Sequence, residues 1–167
     1  MSDQPATRRA IFPPDYGERG VEGDEPVAWR AIEDQLRAAT TYWLSTVSPD
    51  GRPHARPVDG VWVDGALVFG GSPDTRWVRN LQQNPALSVH LPSGGDAVIL
   101  EGTVELVTDP DHPLSEPSRA ASKAKYPQYY PGDELQPHQP FWMLRPTVAF
   151  AWTLDGFPKG ATRWTFT

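Results

Sequence analysis

The sequence predicts one domain that is mainly β with a few helices. Runs of β-branched and aromatic residues recur along the chain, and turn-forming Pro, Asp and Gly residues separate them. Only a few segments space their apolar residues as a helix does. The 167 residues are enough for one core, and no repeat or linker divides them.

The first 24 residues differ in composition from the rest. They are polar and rich in Pro and Gly, which predicts an irregular N-terminal arm over residues 1–24 that could lie across a partner subunit. The single folded domain then spans residues 25–167. It is expected to begin with a helix over residues 26–39, because Trp29, Ile32 and Leu36 recur at helical intervals.

Three strands are expected next, over residues 42–48, 58–63 and 67–69, with Pro-Asp-Gly and Asp-Gly turns between them. Pro57 cannot donate a main-chain hydrogen bond, and Asp59-Gly60 follows shortly after it. Together they predict a bulge in the second strand. A bulge opens a gap through which a ligand could reach main-chain groups.

A short helix is predicted next, with Ser72 as its N-cap and Pro73 at its first position. Trp77 and Leu81 fall on its apolar face, and Pro85 ends it.

The start of this helix is a candidate anion site. Its free N–H groups and the positive end of its dipole attract negative charge. Ser72 and Thr75 add hydroxyl groups, Arg76 adds a planar guanidinium group, and Arg56 could reach the same place. A capped surface helix with solvated arginines explains the same residues. No Walker-type or dinucleotide glycine motif is present, so the residues alone leave both interpretations open.

Further strands are expected over residues 86–91, 96–108, 141–144, 147–154 and 161–166. Gly102 in the middle of a long strand indicates a bend or a close backbone approach. A helix broken by Pro113 and Pro117 is predicted over residues 110–126. Residues 126–140 hold four prolines and three tyrosines. They form either a wall facing the substrate or a proline-stiffened loop packed on the sheet.

Composition excludes several classes of function. The net charge of −6 and the lack of a basic stripe argue against nucleic-acid binding. There is no Cys, and His54, His90, His112 and His138 lack metal-ligand spacing, so no metal site is predicted. No apolar run is long enough to span a membrane and no signal peptide is visible, so a cytoplasmic protein is expected. No catalytic side chain can be chosen, which agrees with reactivity supplied by a bound cofactor.

The order and spacing of these segments resemble the pyridoxamine-5′-phosphate-oxidase-like family of split β-barrels, which bind FMN or the deazaflavin F420. The resemblance covers roughly residues 25–167. The matching segments are TVSPDGRPHARPV, DGALVF, SPDTRWVRNLQQNP and VILEGTVELV, together with a tail, VAFAWTLDGFPKGATRWTF, that looks actinobacterial.

The resemblance implies a flavin-reductase-like split barrel that forms a homodimer with the cofactor at the subunit interface. It implies that the flavin ring lies beside the second strand, that the phosphate lies at the helix start, and that Trp77 or Trp152 of the partner subunit lies near the ring. The implied cofactor-binding residues are Arg56, Pro57, Val58, Ser72, Thr75, Arg76, Trp77 and Asn80.

The implied function is an oxidoreductase that transfers a hydride between FMN or F420 and a small organic substrate. The alternatives are a non-catalytic flavin, F420 or haem-binding protein on the same barrel, and a barrel that has lost its cofactor. Many relatives have Lys where this sequence has Trp77, which removes one phosphate-binding charge. The C-terminal motif that grips the substrate phosphate in true pyridoxamine-phosphate oxidases is not recognisable, so vitamin B6 oxidation is not predicted. The tail and the composition favour F420 over FMN.

Overall fold

The computed structural model describes residues 4–13, 26–93, 95–132, 134–135 and 137–167. Within these ranges, the chain forms nine strands and three α-helices. In chain order they are β1 Ala6–Arg9, α1 Trp29–Ala38, β2 Tyr42–Val47, β3 Pro53–Val58, β4 Val61–Val63, β5 Ala66–Phe69, α2 Arg76–Gln83, β6 Ala86–His90, β7 Asp96–Val107, α3 Ser115–Lys125, β8 Phe141–Thr153 and β9 Thr162–Thr165. A short 3₁₀ turn, Pro127–Tyr129, follows α3.

All described strands belong to one antiparallel sheet that curls into a barrel without closing. Its main strand order is β1-β9-β8-β7-β6-β2-β3. In addition, β5 pairs with the first half of β8, and β4 pairs with β5. No ladder joins β3 to the β4–β5 hairpin among the described residues, so no strand pairing crosses this opening. The predicted mainly β fold with helices, a split β-barrel, is confirmed.

The inner face of the sheet is set by its registers. Residues paired across antiparallel strands share a face. One continuous row crosses five strands and is fully buried: Leu44, Val89, Leu100, Ala149 and Trp164. Arg56 is paired with Leu44, so it continues this core row on the edge strand β3. The interior of the barrel therefore ends, on its open side, at a guanidinium group.

Helix α1 covers one part of this core, as its periodicity predicted. Trp29, Ile32 and Leu36 are buried. The ring of Trp29 lies 6.2 Å from that of Trp62 on β4 and 5.4 Å from that of Trp164 on β9. In the described part of the chain, no helix is long and apolar enough to cross a membrane.

The predicted second strand and its bulge are wrong. The chain instead forms β3, which pairs with β2 through Pro57 without interruption, and β4, which pairs with β5. Pro57 causes no bulge because β3 is an edge strand, where a missing amide donor breaks no ladder. The change of partner takes place at Asp59 and Gly60, between the two strands.

The register shift lies elsewhere, between Glu101 and Gly102 of β7. A Cβ atom on Gly102 would lie 2.9 Å from the carbonyl oxygen of Arg145 and 3.0 Å from the side chain of Leu144. The close backbone approach expected at Gly102 is therefore present, and it lets β7 bend across β8.

Helix starts differ from the prediction at two places. Thr75, and not Ser72, is the N-cap of α2, because Ser72 to Thr75 form a turn in which the Thr75 N–H donates to the Ser72 carbonyl at 3.0 Å. Helix α3 begins only at Ser115. Pro113 therefore precedes it, and Pro117 lies in its first turn, where an amide donor is not needed.

The expected N-terminal arm is only partly described. Within it, Ala6–Arg9 is not irregular, because this segment is strand β1 and pairs with β9. Residues 1–3 and 14–24 of the expected arm lie outside the described residues. Ladder pairing of these four residues could not be read from their composition, because its partner strand lies at the other end of the chain.

Candidate functional site

A groove of about 470 Å³ occupies the opening of the barrel. One wall is the joint between β3 and β4, from Arg56 to Val61, together with the end of β5 and Trp77. The facing wall is formed by α3 and the chain that follows it up to Phe141. The groove therefore lies where the fold leaves the sheet unpaired.

The segment predicted to carry a flavin ring borders this groove. Arg56, Pro57 and Val58 all line it. Arg56 is paired with Leu44 and Val58 with Tyr42, so these two side chains share the inner face of the sheet, whereas Pro57 is paired with Trp43 on the outer face. Arg56 is exposed, and it has no acidic partner among the described residues.

The start of α2 keeps the features of an anion site. No side chain caps it at Thr75, and its first turn holds no acidic residue. The Thr75 hydroxyl donates to the Ser72 carbonyl at 2.8 Å, and the Ser72 hydroxyl accepts from the Asp74 N–H at 3.3 Å, so both hydroxyls stabilise the turn. The main-chain N–H groups of the first turn and the exposed guanidinium group of Arg76 remain available to an anion.

Arg76 does not line the groove itself. It borders an adjacent depression of about 610 Å³, together with Arg79 and Gln83 on the same helix. His54 lies close to both Arg56 of the groove and Arg76 of this depression. Burial, and then the positive charges of Arg76 and Arg56, lower the pKa of the His54 imidazole. We call His54, Arg56 and Arg76 the basic cluster; it lies between the groove and the start of α2.

His54 was not chosen from the sequence. Its separation from Arg56 by two residues on one strand places both side chains on the same face, and that signal was available. What the sequence did not contain was the position of α2, which brings Arg76 near the imidazole.

Trp77 and Asn80 are buried, at 5% and 3% exposure. Trp77 packs against Phe69, with ring centroids 5.8 Å apart, and forms the inner wall of the groove. Gly71 makes room for it, since a Cβ atom there would lie 2.1 Å from the indole. Asn80 donates from Nδ2 to the Thr46 hydroxyl at 3.0 Å, so it ties α2 to β2 within the core.

The tyrosine-rich segment after α3 forms much of the facing wall. Tyr126, Tyr129 and Tyr130 line the groove, as do Pro137 and Pro140. Tyr126 is buried and stacks on Tyr129, which is 61% exposed. The segment therefore packs on the barrel, as a proline-stiffened loop would, and it also borders the groove. Whether it faces a substrate stays a prediction.

The α3 part of this wall was missed from the sequence. Ser118, Arg119 and Ser122 line the groove from one face of the helix. Their spacing is helical, but nothing in the sequence indicated which side of α3 faces the barrel.

A polar cluster around Lys125 joins the chain after α1, β2 and the joint between β3 and β4. Lys125 donates to the Ala39 carbonyl at 2.8 Å, to the Tyr42 hydroxyl at 3.2 Å and to the Gly60 carbonyl at 3.3 Å. Burial lowers the pKa of Lys125 to about 8. Burial also raises the pKa of Tyr42 and, as the largest of several causes, that of Tyr126.

These shifts predict how stability depends on pH. The unfolded chain keeps the Lys125 proton up to about 10.5, whereas the folded protein releases it near 8. Between about pH 8 and 10 the unfolded state therefore binds more protons, and the contribution of Lys125 to the free energy of unfolding rises with pH. Above pH 10.0 the folded state retains the tyrosine protons, so stability falls.

The measurement is urea denaturation at pH 7.5, 8.5 and 9.5 for the wild type and for Lys125→Met. The wild-type free energy of unfolding should rise relative to that of the variant across this range. Parallel pH profiles would contradict the prediction.

Within the described ranges, no group of three or more His, Asp or Glu residues could hold a metal ion. Trp152 lies on the outer face of the sheet against Phe157, at a ring distance of 5.7 Å, and does not line the groove of its own chain.

Comparisons with known proteins place this geometry in context. The family model described as pyridoxamine 5′-phosphate oxidase matches residues 28–153. No curated protein matches the chain in sequence.

Three examples represent the solved structures that share the fold. An FMN-binding protein from Nostoc punctiforme, related to pyridoxamine 5′-phosphate oxidase, is 20% identical with a TM-score of 0.55, over 87% of this chain and 100% of that one. A haem-binding protein from Mycobacterium smegmatis is 23% identical with a TM-score of 0.60, over 84% of this chain and 59% of that one. An F420 reductase is 22% identical with a TM-score of 0.52, over 70% of this chain and 94% of that one. At these identities the likeness shows the fold alone.

Proposed function

The chain belongs to the pyridoxamine 5′-phosphate oxidase family, and from this premise we propose that it is an oxidoreductase that binds FMN or F420. In the proposed reaction, a hydride passes between the bound ring and a small organic substrate. The relatives with this fold include proteins named for FMN, F420 and haem. The choice among these must therefore come from the site.

One observation carries the proposal: Arg56 belongs both to the groove and to the basic cluster. A flat ring fits a groove with aromatic side chains on its walls, Trp77 on one side and Tyr126 on the other. An anionic tail leaving the groove past Arg56 meets His54, Arg76 and the uncapped N–H groups of α2. A ring with a negatively charged tail matches this order of residues.

The ring of FMN or F420 supplies the hydride chemistry when it is bound. The chain supplies position and electrostatics. Arg56 and Arg76 hold the tail, Val58 and Trp77 limit where the ring can lie, and the tyrosine wall excludes water from its face. No side chain of the groove is assigned as a proton donor, and water can serve.

A haem-binding protein is the second candidate, because a relative with this fold is named for haem. Haem iron is held by His, Cys, Met or Tyr side chains. Among the described residues that line the groove there is no His, Cys or Met, and the phenol of Tyr126 is already hydrogen-bonded to Gly60 and Thr40, which leaves Tyr129 and Tyr130 as the possible iron ligands. A flavin or deazaflavin needs no such ligand, and the basic cluster beside the groove matches its anionic tail, so it suits this site better than haem.

The test is the absorption spectrum of the purified protein, followed by titration with FMN, F420 and haemin. Binding of FMN or F420, and reoxidation of the reduced ring by an organic acceptor, supports the oxidoreductase. Tight binding without turnover supports a carrier. A Soret band with haemin and no affinity for the other two supports the haem protein. No binding of any of the three indicates a barrel that has lost its cofactor.

We further propose that the protein acts as a cytoplasmic homodimer. A row of residues on the outer face of the sheet runs through paired positions on four strands, and most of it is apolar: Trp43, His90, Ile99 and Phe150. Trp43, Ile99 and Phe150 are only half-buried. An apolar sheet face of this kind is typical of a subunit interface. A second copy on it would bring its own Trp152, on the same strand as Phe150, toward the partner.

Phe150→Asp is expected to turn the dimer into a monomer, because it places a negative charge at the β8 end of the apolar row. Light scattering after size-exclusion chromatography measures the mass. Leu106→Asp is the matched control, since Leu106 is 42% exposed but lies outside the row. A monomeric wild type, or equal loss of mass in both variants, would exclude this surface.

A further inference from the structure

Gly60 lies at the point where the barrel is open. It follows the end of β3 and precedes β4, and it belongs to no strand pairing of the described residues. Its polar groups are bound instead by side chains from the end of α3. The Gly60 N–H donates to Tyr126 Oη at 2.9 Å, and its carbonyl oxygen lies 2.8 Å from Tyr126 Oη and 3.3 Å from Lys125 Nζ.

The same two side chains reach other parts of the fold. Lys125 also bonds the Ala39 carbonyl at the end of α1 and lies over the ring of Tyr42, 5.5 Å from its centroid. The Tyr126 hydroxyl is 2.9 Å from the Thr40 carbonyl. A phenol has one proton, so Tyr126 donates to the Thr40 or the Gly60 carbonyl at a given moment. The end of α3 thereby joins α1, β2 and the β3–β4 joint.

These bonds connect the two walls of the groove. Gly60 belongs to the wall that carries Arg56 and Val58, and Tyr126 belongs to the facing wall with Ser118 and Ser122. We infer that Lys125 and Tyr126 are positioning residues, which hold the walls at a fixed separation by binding the Gly60 peptide and thereby set the affinity of the groove for its ligand. The inference rests on the proposed function only in taking the ligand to be FMN or F420.

Gly60 itself is suited to this role. A Cβ atom there would lie 3.0 Å from the carbonyl oxygen of Val68 and 3.3 Å from the side chains of Leu67 and Tyr42. The joint is therefore packed tightly from the barrel side, and the hydrogen bonds from α3 fix it from the other side. A movement of α3 away from the barrel must break them.

The first test uses the protein without ligand. Exchange of the Gly60 amide proton with deuterium should become about fivefold to tenfold faster in Tyr126→Phe, since one neutral hydrogen bond is lost. Tyr129→Phe is the matched control: it removes a phenol from the same wall that makes no hydrogen bond among the described residues, and it should leave Gly60 exchange unchanged. Exchange at the Leu100 amide in the core shows whether each variant is folded.

The second test follows the ammonium group. The Gly60 amide signal in the NMR spectrum of the wild type should shift between pH 6.5 and 9.5 with a midpoint near 8, and it should not do so in Lys125→Gln. The groups that face Lys125 are Tyr42 on β2 and Tyr126 directly after α3, with Asp59 beside Tyr126, and both tyrosines have raised pKa values. Two results would overturn the inference. One is a Gly60 amide signal that does not shift with pH in the wild type, and the other is a Gly60 amide that exchanges as slowly in Tyr126→Phe as in the wild type.

The third test measures affinity for FMN and for F420. Tyr126→Phe and Lys125→Gln should each bind the preferred cofactor about fivefold or more weakly. Faster Gly60 exchange with unchanged affinity would refute the effect on the ligand. If the wild type binds neither cofactor, the proposed function fails, whereas the exchange and NMR results still decide whether the two side chains hold the walls.

Discussion

Trp77→Lys is expected to lower the free energy of unfolding by about 3–5 kcal/mol, the range for deleting a large buried aromatic side chain. The indole is 5% exposed, packs on Phe69 and fills the space that Gly71 leaves open. A lysine there loses this packing, and its ammonium group has no acidic partner in the first turn of α2. Introducing the lysine that the family resemblance led us to expect here should therefore not create a phosphate site.

Urea denaturation followed by circular dichroism measures this loss. Tyr129→Ala is the matched control, because it truncates an aromatic residue of the same groove that is 61% exposed, and it should cost about 1 kcal/mol or less. Gly71→Ala tests the same packing from the other side. The added methyl group must displace the indole or the loop, with an expected cost of about 1–3 kcal/mol. A stable Trp77→Lys protein would show that α2 can repack without the indole.

Arg56→Ala and Arg76→Ala are each expected to weaken binding of the anionic cofactor by about 1.5–3 kcal/mol, the range for hydrogen bonds to charged groups. Neither guanidinium group has an acidic partner among the described residues, so both are available to a ligand. Both lie near enough to His54 to lower the pKa of its imidazole. The double variant should lose roughly the sum if the two groups contact separate oxygens.

Fluorescence titration of each variant with FMN and with F420, at low and high salt, gives the affinities. Arg30→Ala, which removes an exposed arginine from α1, is the control for net charge. Unchanged affinity in Arg76→Ala would remove the Arg76 side chain from the site. Loss in Arg30→Ala of the same size would show a nonspecific effect of charge.

Much of the secondary structure could be predicted because its signals are local. The burial of Trp29, Ile32 and Leu36 on α1, and of Trp77 and Leu81 on α2, follows from helical spacing alone. The close backbone approach at Gly102 follows from a residue without a side chain in a long strand. The predicted limits of the second strand were wrong because they depend on strand pairing. Residues up to Val58 pair with β2 and residues from Val61 pair with β5, and the sequence at Asp59 and Gly60 does not show this change of partner.

Some residues of the candidate site could be predicted from local sequence signals, and others could not. Arg56, Val58 and Trp77 were expected at the cofactor and do line the groove, whereas Asn80 is bonded to Thr46 in the core. His54 and the α3 residues were not chosen. Their roles depend on where α2 and α3 pack on the sheet, and a single helix does not specify which of its neighbours it will contact.

By itself, the sequence determined the kind of fold and predicted which residues could hold a flat anionic ligand, because strand alternation, turn chemistry and helix starts are encoded within a few neighbouring positions. The tertiary structure alone decided that the barrel stays open between β3 and the β4–β5 hairpin, that Arg56 continues the core row to this opening, and that Lys125 and Tyr126 bridge it. The physical reason is distance along the chain: Tyr126 bonds Gly60 across 66 residues and Lys125 bonds Ala39 across 86. Such contacts are fixed only when the whole sheet has folded.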